Sequence, residues 1–137
     1  MGRGKPQPVK RSPLEQALTS LLEKAGSRDL CTILNTMRVD RPAEERDALL
    51  TQIEHALVSF LDLGWIDLVW DLPRGQSIAL TDEEQRSLWP ISHCVVWHAA
   101  HGGWSWRSDA PRHQSAQSWG ASPKVVLNDK GRAGLVT

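Results

Sequence analysis

At Gly64 the hydrophobic rhythm of this chain changes from one period to another, and few folds accommodate that change. Before it, Leu49, Leu50, Ile53, Ala56, Leu57, Phe60 and Leu61 recur at three- and four-residue spacing. That stripe predicts an amphipathic helix of about 20 residues starting near Pro42, with acidic residues in its first turn, where the helix dipole favours them. After Gly64, in WIDLVWDL, Ile66, Leu68, Trp70 and Leu72 alternate with Asp67, Val69 and Asp71. Alternation at period two is the signature of a strand buried on one face. PRGQ reads as a turn, and SIALT returns with Ile78 and Leu80 on one face, so a β-hairpin is expected. A long one-sided helix joined through glycine to a one-sided hairpin predicts the α+β class.

Two further helices precede this unit. At SPLE, Ser12 is placed to cap, Pro13 suits the first helical position and Glu15 completes a capping box. Leu14, Ala17, Leu18, Leu21, Leu22 and Ala25 follow at helical spacing until Gly26. A shorter helix is expected over 28–37, with Leu30, Ile33, Leu34 and Met37 on one face. Beyond the hairpin, Thr81 and Glu84 make a second capping box for a short helix stopped by Pro90. Residues 93–98 predict a strand with Cys94 and Val96 turned inward. Residues 99–122 read as a long loop rich in Gly, Ser and Trp, and KVVLNDKGRAGL as a strand at 125–127 with a turn or short helical cap behind it.

Three helices followed by a hairpin, with Leu63-Gly64-Trp65-Ile66 at the joint and Leu80-Thr81 closing the second strand, resemble the winged helix-turn-helix superfamily over residues 12–84. The resemblance implies a three-helix winged-helix-like core with a β-hairpin wing, here extended by a short fourth helix and an irregular C-terminal extension holding one or two strands. The chain then divides into a disordered basic arm at 1–11, a core at 12–90 and the extension at 91–137 packed on that core. In the family, the third helix reads DNA and the wing grips phosphate. Here the third helix offers Glu44, Glu45, Arg46, Asp47, Gln52, Glu54, His55 and Asp62, of which only Arg46 is firmly cationic, and the hairpin Asp67 and Asp71, with Arg74 alone at the wing tip. The family's DNA-reading positions therefore do not carry over.

Charge explains why. The chain of 137 residues has a net charge of zero, but residues 1–11 hold four cations and no anion, and residues 12–98 hold seven cations against fourteen anions. An acidic body repels polyanions, although the basic arm keeps nucleic acid as an alternative partner. The longest apolar runs fall short of the roughly 18 residues that a membrane span needs. No secretory signal opens the chain, and two cysteines make no disulfide framework, so a cytoplasmic protein is expected.

The stretch HCVVWHAAHGGWSW, residues 93–106, concentrates the candidate chemistry. For zinc, Cys94, His98 and His101 lack a complementary pair elsewhere, and on a strand Cys94 and His98 stand about 13 Å apart. A Cys94 nucleophile served by His98 or His55 needs an orienting group and an oxyanion pocket, and no motif supplies them. Neither a catalytic residue, a metal nor a cofactor is expected. Of the chain's seven tryptophans, Trp104, Trp106 and Trp119 lie with Arg107 and Arg112 in the long loop. Trp and Arg are the residues that dominate protein interfaces. The expectation is a non-enzymatic protein-binding module contacting a basic partner through Glu54, Asp62, Asp67, Asp71, Arg74, Trp104, Trp106, Arg107, Arg112 and Trp119. Small acidic inhibitors that neutralise a basic toxin, of the immunity or antitoxin kind, are similar in layout, as are regulatory adaptors. A winged-helix DNA-binding transcription regulator is the alternative.

Overall fold

A computed structural model describes residues 12–39, 41–113 and 122–136. The basic arm at 1–11 and Trp119 lie outside them. Helix α1, Pro13–Ala25, starts with both halves of its capping box: the Ser12 hydroxyl accepts from the Glu15 N–H at 3.2 Å, and the Glu15 carboxylate accepts from the Ser12 N–H at 3.1 Å. Its Leu14, Leu18 and Leu22 are buried. The second helix begins later than the pattern predicts. Ser27–Asp29 is a strand, β1, and Asp29 caps α2, Leu30–Met37, by accepting from the Thr32 N–H at 3.2 Å. Acidic residues 44 and 45 fall in a 3-10 turn, Ala43–Glu45, that leads into α3, Arg46–Asp62. Gly64 ends that helix in the left-handed region, φ 73°, where a side chain is disfavoured.

The period change at Gly64 is real structure. Strand β2, Ile66–Asp71, buries Ile66, Leu68 and Trp70 and exposes Asp67 and Asp71. It pairs antiparallel with β3, Ser77–Ala79, around a turn at Pro73–Gly75. Leu80 is buried as expected, but Ile78, on the edge strand β3, is 45% exposed. Thr81 and Glu84 form the second reciprocal cap, on α4, Asp82–Ser87. The Glu84 carboxylate also accepts the Trp70 indole N–H at 3.1 Å, which satisfies the one polar atom of a ring otherwise sunk in the core.

The largest departures lie beyond residue 90. Among the described residues three strands occur there, where one or two were expected. Strands β4, Val95–His98, and β5, Gly103–Trp106, form a two-stranded antiparallel sheet, so the expected loop contains an ordered strand. The phase of β4 is also shifted. Cys94 closes a 3-10 turn, Ile91–His93, and is not a strand residue. Consequently Cys94 and Val95 are both buried, whereas Val96, expected inward, is 37% exposed.

The third strand, β6, Lys124–Leu127, pairs with β1 on one side and β2 on the other, giving a four-stranded antiparallel sheet in the order β1-β6-β2-β3. Its Val125 and Leu127 join Ile66, Leu68 and Trp70 on the inner face, beneath the three helices. The chain entering β6 is tied to the start of α2, where the Ser122 hydroxyl donates to Asp29 at 3.1 Å and accepts from the Cys31 N–H at 3.2 Å. Helix α5, Asp129–Val136, follows; Asn128 accepts from the Gly131 N–H in its first turn and donates to the Gly64 carbonyl. The class is α+β, with five helices and two antiparallel sheets among the described residues.

Candidate functional site

The expected contact residues separate into three groups. Trp104 and Trp106 belong to the core, at 6% and 4% exposure. Their alternation in GWSW turns both indoles inward, and the Trp106 N–H donates to the Pro111 carbonyl at 2.9 Å. Glu54 is engaged within the molecule, its carboxylate accepting the Ile91 N–H at the start of the 3-10 turn. Arg107 and Arg112 are partly committed too. Arg107 pairs with Asp109 at 3.0 Å, and Arg112 donates to the Arg107 carbonyl at 2.7 Å. That ion pair holds the Asp109 carboxyl below the usual carboxylate range. Asp62, Asp67, Asp71 and Arg74 stay exposed.

On β2, the two aspartates flank half-buried Val69 on the sheet face that points away from the helices. The register adds Lys124 and Val126 of β6 to that face, and Lys124 reaches Asp71 at 3.5 Å. Asp67 accepts from Asn128 at 3.3 Å. Two valines bordered by two carboxylates and one ammonium make a mixed surface with an apolar centre and an acidic rim.

The Cys/His constellation is split: the His98 and His101 rings lie 6.3 Å apart on the exposed side, and Cys94 is turned into the core. The Cys94 thiol faces the Ser87 and Leu88 carbonyls at 3.8 and 3.6 Å, inside the core. His98 lies on the exposed side of β4, hydrogen-bonded to the Ser105 hydroxyl. Among the described residues, no three His, Cys, Asp or Glu side chains gather as a metal site would require. Burial pushes the Cys31 thiol up to about 11, against a partial lowering by the Ser122 hydrogen bond, and burial raises Cys94 as well. Both are therefore thiols at neutral pH, and the nucleophile is the thiolate.

A second cluster escaped the sequence reading. Arg38 at the end of α2, Arg41 in the following turn and Arg46 at the start of α3 converge on Trp97 of β4. The Arg46 and Arg38 guanidinium carbons lie 4.6 and 5.5 Å from the Trp97 ring centroid, within cation–π range. Trp97 is steadied from behind by Trp104, its cross-strand partner, edge-on at 5.0 Å. These arginines, with Pro42, Ala43 and Leu49, line a cavity of about 120 Å³. The Arg38 Nε is buried and, among the described residues, has no hydrogen-bond acceptor. An unmet buried donor costs about 1–3 kcal/mol. The available signal was three arginines within nine residues of an otherwise acidic stretch; the intervening Glu44 and Glu45 obscured it.

No family model, curated protein or solved structure matches this chain. Among the described residues, no helix is long and apolar enough to cross a membrane.

Proposed function

We propose that this chain is a non-enzymatic protein-binding module that docks a basic partner on the solvent face of the four-stranded sheet. The observation that carries the reading is the β2 pattern, with Asp67 and Asp71 exposed on either side of half-buried Val69. A small apolar centre excludes water while carboxylates at its rim select for cationic side chains, the division of labour found in protein interfaces. The placement of the Cys94 thiol in the core, while His98 and His101 are exposed, together with two buried protonated thiols, supports a binding role over catalysis. The helix order α1-α2-α3 followed by the β2–β3 hairpin supports a winged-helix-like ancestry, with β6 as an addition between β1 and β2. Within this reading the role is that of an immunity- or antitoxin-like inhibitor or a regulatory adaptor, acting in the cytoplasm.

The test places a photo-crosslinking residue at Val69 in the native host. A specific adduct with a basic protein is expected, and D67N/D71N should abolish it. Crosslinking indifferent to those two substitutions would refute the reading. So would a mobility shift of random duplex DNA with a steep dependence on salt, which marks phosphate neutralisation.

A further inference from the structure

The arginine cluster does not stand alone on its side of the molecule. Arg41 lines three adjoining hollows: one of about 510 Å³ between α1 and α3, reached by Leu14, Gln52 and His55; one of about 110 Å³ beside Ala48 and Leu49; and the 120 Å³ cavity at Trp97. Together they form a groove along the N-terminal half of α3. Its walls are apolar in places, at Leu14, Leu49 and Ala56, and cationic at Arg41, Arg46 and Arg38. This surface is separate from the sheet face discussed above.

We propose that this groove receives an extended acidic peptide segment of a protein partner, with Arg38 and Arg46 as the receptors for its carboxylates. Three observations carry the inference. Trp97 gathers the two guanidiniums over one ring, at 4.6 and 5.5 Å from its centroid, and a planar carboxylate is the group to which an arginine fork is matched. Arg38 Nε is a buried donor without an acceptor among the described residues, so a bound carboxylate satisfies a group the fold leaves unmet. Among the described residues, the ion pairs of this cluster are weak competitors, being solvent-exposed and long: Arg41–Glu45 at 3.8 Å and Arg46–Asp47 at 4.0 Å.

Rim chemistry favours a peptide over a nucleic acid. Glu15 and Glu45 line the same groove, and a phosphodiester strand would bring a negative charge past each of them. A peptide places carboxylates only at the arginines and apolar side chains between them, since alternate residues of an extended chain face opposite ways.

The experiment is an NMR titration of the full chain, following the Trp97 indole N–H and the Arg38 and Arg46 side-chain N–H signals. The probes are an octapeptide of alternating glutamate and leucine, its glutamine–leucine counterpart, and an eight-nucleotide oligothymidine. The glutamate peptide should shift all three signals with a Kd below about 1 mM. The glutamine peptide and the Arg38→Gln/Arg46→Gln variant should each bind at least about tenfold more weakly, as expected for lost charge-assisted hydrogen bonds. Arg46→Lys keeps the charge and loses the fork, so it should weaken binding severalfold; it decides the matter if the double variant does not fold. Unshifted signals at millimolar peptide, equal binding of the glutamine peptide, wild-type affinity in Arg46→Lys, or tighter binding of the oligonucleotide would each overturn the proposal.

Discussion

Asn35 behaves as a piece of β-strand made from a side chain, and removing it tests how the second sheet is attached. From the last turn of α2, its Oδ1 accepts the Trp104 N–H at 2.7 Å and its Nδ2 donates to the Trp104 carbonyl at 3.0 Å. The amide therefore pairs the outer edge of β5 as a neighbouring strand would. Trp104 is buried, so water cannot replace both partners when they are lost. Each bond contributes about 1 kcal/mol net, and an orphaned donor or acceptor costs about 1–3 kcal/mol, so Asn35→Ala should lose about 3 kcal/mol. With a urea slope of about 2 kcal/mol/M, the midpoint should fall by about 1.5 M. Asn35→Asp should be nearly as damaging, because its carboxylate meets the Trp104 carbonyl without a donor. Equilibrium urea unfolding followed by Trp fluorescence measures both. A midpoint shift below about 0.3 M in Asn35→Ala would refute the reasoning.

Two further outcomes follow from burial. Cys31 titrates near 9.0 when unfolded and near 11 when folded, so the native state holds its proton more tightly. Its contribution is intact below pH 9 and is lost as pH rises toward 11; relative to Cys31→Ala, the wild type should lose about 2–3 kcal/mol between pH 8 and 11 in urea titrations. Equal slopes for the two proteins would contradict this. At Gly131 an added Cβ would meet the Trp65 carbonyl oxygen at 2.1 Å and the Leu127 side chain at 2.7 Å. Gly131→Ala should therefore detach α5 or cost more than about 2 kcal/mol, read as a lower Tm and faster amide exchange in residues 129–136.

Features with a local cause were legible in the sequence. Both capping boxes, at Ser12/Glu15 and Thr81/Glu84, close as reciprocal hydrogen bonds, and the change of period at Gly64 marks the passage from α3 to β2. What escaped depends on partners distant in the chain. Ser27–Asp29 has no alternating pattern of its own and is a strand only because β6 lies beside it. GWSW alternates, but between glycines and polar residues its two tryptophans read equally well as exposed anchors; only the packing of β4 and α2 decides that they are core. The phase of β4 slipped because a 3-10 turn precedes it, and turns carry no period. Of the candidate site, the acidic positions on β2 were found from alternation alone. The arginine cluster was missed because Trp97, which gathers Arg38 and Arg46, lies some fifty residues downstream of them.

The position of β6 has a consequence for how the chain comes into being. Residues 124–127 supply the neighbour that β1 pairs with and one of the two flanks of β2. During synthesis α1, α2 and α3 can form as they emerge, but the sheet beneath them lacks its second strand in the order until residues 124–127 have left the ribosome. Closing a sheet across about a hundred residues is entropically slow. The interval leaves β2 with an open edge, the state in which strands mispair. The sheet beneath residues 12–84 is thus completed from outside that stretch, by a strand that joins it only once residues 124–127 have been made.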